Sequence, residues 1–95
     1  MDNIEKTLKD RGSKYGDFKE HAEITQTLKR IIQVELSKRD KTLSDDQIEA
    51  IEMIFHKIGR IINGDPNYSD SWIDIAGYAK LVADRLDTEN IDEKN

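Results

Sequence analysis

Two carboxylate pairs stand at helical spacing in this 95-residue chain, Glu20-x-x-Glu23 and Glu49-x-x-Glu52, with His21 and His56 close by. Carboxylates three residues apart on a helix can converge on one divalent cation, so each pair has a metal-binding reading. Each also has a plainer reading as charge facing water. At 100° per residue Glu49, Glu52, His56 and Arg60 share a face opposite Ile48, Ile51, Phe55, Ile58 and Ile62, which favours a solvated stripe unless a second surface covers it. Around the first pair, which has His21 beside it, Phe18, Ala22 and Thr25 claim the inner face, so exposed charge is the favoured reading.

A third cluster follows. Asp74, Tyr78 and Arg85 fall together at the edge of an apolar arc, with Asp70 one turn before Asp74. Such an edge suits ligand contact: Arg for phosphate, Tyr for a base or ribose, Asp for a metal or a ribose hydroxyl. It equally suits an inter-helix salt bridge with a tyrosine hydroxyl bond. Lys57 and Arg60 precede the Gly64-Asp65 turn, and a helix start near Ser69–Ser71 lies just past it. Two cations beside free helix amides can hold an anion, although Asp65 and Asp70 oppose this unless Mg²⁺ mediates. Tyr15 and Tyr68 sit in predicted loops, where they can stack on a base or pack over the ends of helices. No nucleophilic triad, phosphate-cradling glycine-lysine loop, zinc finger or His-Glu-x-x-His helix is present.

Composition limits what can position these groups. The chain has room for one domain. It has no cysteine, hence no disulfide framework, thiolate metal site or cysteine nucleophile. No apolar run reaches the roughly 20 residues that span a bilayer, and the start of the chain lacks the apolar core of a signal peptide. We therefore expect a cytosolic protein. The net charge of −5 is uneven: residues 1–43 carry +2 and residues 44–95 carry −7. An acidic second half disfavours duplex nucleic acid and anionic membranes, which need a basic stripe. It leaves room for a small anion held by two or three cations. With 36% hydrophobic residues and a mean hydropathy of −0.78, the chain is short of core, which suggests thin amphipathic helices completed by an oligomer.

The period between breaks is helical throughout. Residues 2–11 predict a short helix carrying Ile4 and Leu8, ended by the Gly12-to-Asp17 break. Phe18, Ala22, Thr25, Leu28, Ile32 and Leu36 predict a long second helix with Asp17 as N-cap. Ser44 and Gln47 form a capping-box pattern opening a third helix, which Asn63-Gly64 should end in a left-handed cap before Pro66. Ser71-x-x-Asp74 predicts a similar start to a fourth helix, whose apolar face is Trp72, Ile75, Ala76, Ala79, Val82, Ala83 and Leu86. By phase, Phe55 and Trp72 belong to the core. Gly59 and Gly77 lie inside helices, where close approach of a neighbouring helix is the usual compensation. The expected fold is all-α, a small bundle of one short and three longer helices, with residues 1–86 as the domain and residues 87–95 as a flexible acidic tail.

Three blocks resemble a small family of phage and prophage helical proteins of unknown function. They are Arg11-Gly12-Ser13-Lys14-Tyr15-Gly16-Asp17-Phe18 with His21, the run from Glu52 to Ile61 followed by Asn63-Gly64-Asp65-Pro66, and the run from Asp70 to Leu81. More distantly, Tyr15-Gly16-Asp17, Lys57-x-x-Arg60 and Asp74-x-Ala76-Gly77-Tyr78 resemble a phage domain associated with nucleotide modification. The chain is also similar to MazG-type nucleotide pyrophosphohydrolases. Those hold Mg²⁺ with a Glu-x-x-Glu and a Glu-x-x-Asp, the second of which is replaced here by Asp70-x-x-x-Asp74 at the wrong spacing.

These resemblances imply nucleotide chemistry in a bacterial host cytoplasm, and the incomplete carboxylate set favours binding over hydrolysis. The leading expectation is a phage-encoded homo-oligomer that binds a nucleotide-derived ligand, such as an immune signal, without turnover and without a cofactor. Its contacts are assigned to Tyr15, Asp17, His56, Lys57, Arg60, Asp74, Tyr78 and Arg85, with the three cations on phosphate. The alternatives are a Mg²⁺-dependent pyrophosphohydrolase using Glu49, Glu52, Asp70 and Asp74, and an interaction module with no small-molecule site.

Overall fold

A computed structural model describes residues 3–94, with side chains described for residues 3–90. It is all-α, as the periodicity requires: α1 (Asn3–Tyr15), α2 (Phe18–Lys38), α3 (Asp45–Asn63) and α4 (Ser69–Lys94). Asp2 and Asn95 lie outside the described residues. Among those residues no helix is long and apolar enough to cross a membrane.

The breaks fall where backbone geometry demands. Helix α1 runs past the predicted stop at Arg11, because Gly12 and Ser13 tolerate helix and the Ser13 hydroxyl donates to the Asp10 carbonyl at 2.7 Å. It ends at Gly16, whose φ of 82° lies in the left-handed region. Asp17 takes the extended N-cap conformation, but its side chain makes no capping bond. Helix α2 ends at Asp40, also left-handed at φ 49°. The Asp40 amide donates to the Ser37 carbonyl (3.1 Å) and the Lys41 amide to the Leu36 carbonyl (3.0 Å), the paired bonds of a Schellman motif.

The capping box of α3 closes through Gln47, whose Oε1 accepts from the Ser44 amide at 2.9 Å. The cap at the other end is not left-handed. Gly64 sits at φ −127°, and glycine is required because a Cβ there would strike the Lys14 carbonyl and the Tyr15 backbone. Helix α4 begins at Ser69, so Ser71 lies inside it, and Asp74 turns to Lys57 instead of closing a box. Nor does α4 stop where its apolar face ends. Residues 87–94, predicted as a tail, continue it, supported by Arg85–Glu89 at 3.0 Å and a Thr88 hydroxyl bond to the Asp84 carbonyl.

Helix α3 is the centre of the bundle. It packs on α2 through one face and on α4 through the opposite face, while α2 and α4 do not touch. The result is an elongated, open bundle of 59 × 30 × 24 Å. Two of the helix phases differ from expectation. Helix α2 turns His21 and Thr25 inward and leaves Phe18 exposed. Helix α4 presents Ser71, Asp74, Ile75, Tyr78 and Val82 to α3, and leaves Trp72, Ala76, Ala79 and Ala83 exposed. Trp72 is not core. Its indole N–H instead donates to the Pro66 carbonyl at 2.9 Å and pins the α3–α4 turn. Among the described residues the one buried hydrophobic side chain is Ala50.

Two left-handed residues make opposite predictions. At Gly16 a Cβ would clash with the Asn63 backbone and lie 2.7 Å from its side-chain nitrogen. Gly16→Ala is therefore expected to lose about 2 kcal/mol or more in urea unfolding, about 1 kcal/mol of it from the left-handed backbone alone. Asp40→Gly relieves the same penalty at a free turn and is expected to add about 0.5 kcal/mol.

Candidate functional site

The α1–α2 connection is fixed against the end of α3. The Asp65 amide donates to the Lys14 carbonyl at 2.6 Å. The Asn63 side-chain amide donates to the Asp17 carbonyl at 2.8 Å and to the Tyr15 carbonyl at 3.3 Å. Tyr15 meets Tyr68 edge-on with centroids 6.1 Å apart, and the Lys14 ammonium lies 5.0 Å from the Tyr68 ring centroid. These contacts lock α1 beside α3 and open a cleft of about 510 Å³ between α1, the start of α2, and α3. That size is typical of small-molecule sites.

The floor of the cleft is a histidine pair. His21, only 6% exposed, enters a notch that Gly59 leaves in α3, where a Cβ would stand 2.8 Å from its Nδ1. Its Nε2 lies 3.2 Å from Nδ1 of His56, with the rings edge-on. His21 Nδ1 is buried without a hydrogen-bond partner. One ring donates and the other accepts across the His21–His56 contact, in a direction set by the tautomer.

Both rings are held neutral. Burial first, then Arg60, His21, Lys57 and Lys29, push His56 down to about 4. Burial first, then Arg60, lower His21 as well, against the Gly59 backbone, which raises it.

Two guanidinium groups, Arg11 and Arg60, line the cleft with Tyr15, Asp17 and Phe18. The Arg60 guanidinium stacks 4.1 Å from the Tyr15 ring centroid and makes no ion pair among the described residues. The wall thus offers two cationic forks and a neutral imidazole beside an aromatic ring. This set recognises an anion attached to a planar group.

Of the predicted contacts, Tyr15, Asp17, His56 and Arg60 come together here. The other four do not. Lys57, almost buried, pairs with Asp74 across α3 and α4 at 3.0 Å. Tyr78 is half-buried on the α4 face turned to α3. Arg85 forks onto Asp46 at the start of α3, with its Nε 2.8 Å from Oδ2 and its Nη2 2.6 Å from Oδ1, and also donates to the Ser44 hydroxyl at 2.9 Å. Arg85 and Ser44 hold the Asp46 carboxyl at about 2.

The four carboxylates of the hydrolytic alternative are dispersed. Glu49 is exposed, Glu52 lies 4.0 Å from Lys29 on the α2 side, and Asp70 and Asp74 belong to α4. Among the described residues no three His, Asp or Glu side chains cluster to hold a metal ion. The Glu52–His56–Arg60 stripe is half-buried, and the surface that covers it is α2 of the same chain. Sequence reasoning missed Leu8, Arg11, Phe18 and His21. The available signal was Gly59, a gap on α3 wide enough to admit an imidazole.

A family described as a domain of unknown function (DUF6378) matches residues 1–86. The chain belongs to this family. The match takes in all three sequence blocks as well as the whole of α1, and so includes every cleft residue. No curated protein and no solved structure matches the chain.

The neutral pair makes stability depend on pH. The folded values lie below the ordinary 6.5, so the unfolded chain binds protons first as pH falls. Stability is expected to be full above about pH 6.5 and to fall towards pH 4, where His56 protonates in the fold. Asp46 contributes only below its ordinary 3.8, outside that window. Urea midpoints between pH 7 and 4 check this, and His56→Gln should flatten the slope.

Proposed function

We propose that this protein binds a small anionic ligand of nucleotide type in the cleft between α1, α2 and α3, and holds it without turnover. The observation that carries the reading is the half-buried Arg60, stacked on Tyr15 and without a carboxylate partner among the described residues, in a cleft of ligand size that Arg11 also lines. A buried or half-buried guanidinium normally finds a counter-charge within its own fold. The half-buried Arg85 and the buried Lys57 do so, whereas the half-buried Arg60 is left for an external anion, and the exposed Arg11 adds a second cation to the same cleft. In this reading Arg11 and Arg60 take phosphate oxygens, the polar edge of His56 lies beside them, and the Tyr15–Arg60 stack provides a platform for a base.

Binding without chemistry is supported by the carboxylates of the wall: Asp17, its single one, is exposed and has no second carboxylate among the described lining residues with which to hold a cation. The resemblance of the three blocks to phage helical proteins supports a setting in a host cytoplasm, where such a site would sequester a nucleotide-derived immune signal.

Calorimetry and thermal shift with nucleoside mono- and triphosphates and cyclic dinucleotides, in EDTA, test this. At least one ligand should stabilise the protein and be recovered intact by chromatography. Arg60→Ala and Arg11→Ala should each weaken binding at least about tenfold, the effect of about 1.4 kcal/mol in charge-assisted bonds. Arg85→Gln should leave affinity within about twofold, since Arg85 is committed to Asp46. Absence of stabilisation by every ligand in the panel would overturn the reading.

A further inference from the structure

Helix α1 has little beneath it. Every residue from Asn3 to Lys14 is exposed, with Ile4 at 70% and Leu8 at 62%. A 13-residue helix is marginal in water by itself, and only its last turn is fixed, at Tyr15. Ile4 and Leu8 share the face that continues through Arg11 and Tyr15 into the cleft, so Leu8 forms an apolar lip over the candidate site.

Helix α4 has the complementary problem. Its apolar residues ring the helix instead of lining one side, the pattern of an element buried from several directions. Yet it touches only α3. Ile73 and Leu81, at 63% and 68% exposure, stand away from α3 with Gly77 between them, and a Cβ added to Gly77 would meet nothing within 4 Å. Within one chain α1 and α4 do not meet.

The surface area says how much is uncovered. A compact monomer of 11.0 kDa exposes about 5,600 Å². This chain exposes 7222 Å², and its radius of gyration is 16.7 Å against about 12–13 Å for a compact chain of this length. The excess, about 1,600 Å², lies within what one subunit buries in an obligate homodimer, about 1,000–2,500 Å².

Charge selects which faces meet. Helix α1 carries Lys6, Lys9, Arg11 and Lys14 against Glu5 and Asp10. On α4, Asp74, Arg85 and Glu89 are engaged in the pairs already described or with one another. That leaves Asp70, Asp84 and Asp87 against Lys80, itself 2.8 Å from Asp84, so this side stays acidic. Packing α4 on another α4 sets acid against acid, whereas packing it on α1 sets acid against base.

We propose that the protein self-associates by docking α1 of one copy on the Ile73–Leu81 side of α4 of a second copy. The contact is made twice about a two-fold axis. Each copy then covers the Leu8 lip of the other, and the cleft is complete only in the pair. The inference does not rest on the ligand reading, and association is measured without ligand.

Sedimentation and light scattering of the full chain provide the test. The wild type should be a dimer, or a multiple of one, at micromolar concentration. Lys9→Glu with Arg11→Glu, which bracket Leu8, should weaken association at least tenfold. Asp84→Lys with Asp87→Lys, beside Leu81, should do the same. An equimolar mixture of the two reversed proteins should re-form the dimer, because each α1 then meets an α4 of opposite sign. That recovery also shows that both variants are folded. The chain has no cysteine, so Leu8→Cys and Leu81→Cys in one protein should cross-link between copies. A monomeric wild type at 100 µM would overturn the proposal. So would reversed proteins that associate like the wild type, a mixture that stays monomeric, or cross-links that form only within a chain.

Discussion

Every other helix depends on α3 presenting two usable faces. An amphipathic helix of a closed bundle buries one stripe, and its polar side goes to water. Here the polar side of α3 is also used. Gly59 opens a notch beside it that His21 fills, so that α2, whose Ile32 and Leu36 already share a cavity with Ile48, Ile51 and Phe55 of the apolar stripe, also reaches Glu52 and His56. The opposite face takes α4 through Ala50 and the Lys57–Asp74 pair. With partners on both sides of α3, α2 and α4 cannot meet, and the bundle cannot close over a common core.

The two turns at one end make this open arrangement definite. Gly16 and Gly64 let the backbones of the α1–α2 and α3–α4 connections pass in contact, and Asn63 and Asp65 tie them with backbone-directed bonds. Tyr15 is placed by this lock, and Arg60 lies one turn before Asn63 on α3. Their stacking is therefore set by backbone geometry more than by side-chain choice. At the far end, Arg85 holds α4 to the capping residues of α3, a contact between an inter-helix fork and an N-terminus that needs acid at Asp46.

The helix count and the α3 boundaries were legible in the sequence because periodicity and capping are local signals. Which face each helix turns inward was not. His21 looked polar and Phe18 apolar, so phase placed Phe18 inside. The notch at Gly59 reversed that order, and it depends on a residue 38 positions away. On α4 the small residues and Trp72 read as a packing face, but Lys57 needs Asp74, and pairing the nearly buried ammonium turns the helix towards Asp74. Half of the predicted site, Tyr15, Asp17, His56 and Arg60, converged because the first two flank the turn that is locked to α3 and the others sit one turn apart on α3. Lys57 and Arg85 looked equally free in the sequence. Their counter-ions lie 17 and 39 residues distant and appear only once α3 and α4 are packed.

The same electrostatic field links the histidine pair to the cleft. The positive charge of Arg60 helps to lower both His21 and His56, and among the described residues no carboxylate pairs with it. A potential that repels a proton from the floor of the cleft attracts an anion into its mouth. By linkage the two effects are reciprocal: an anion on Arg60 makes the imidazoles easier to protonate, and protonated imidazoles strengthen the hold on the anion. Neutral histidines behind unpaired arginines therefore leave the site a net cationic wall at neutral pH, with the fold intact, while the burial that keeps the rings neutral prevents the floor from adding repulsion that α2 and α3 would have to withstand.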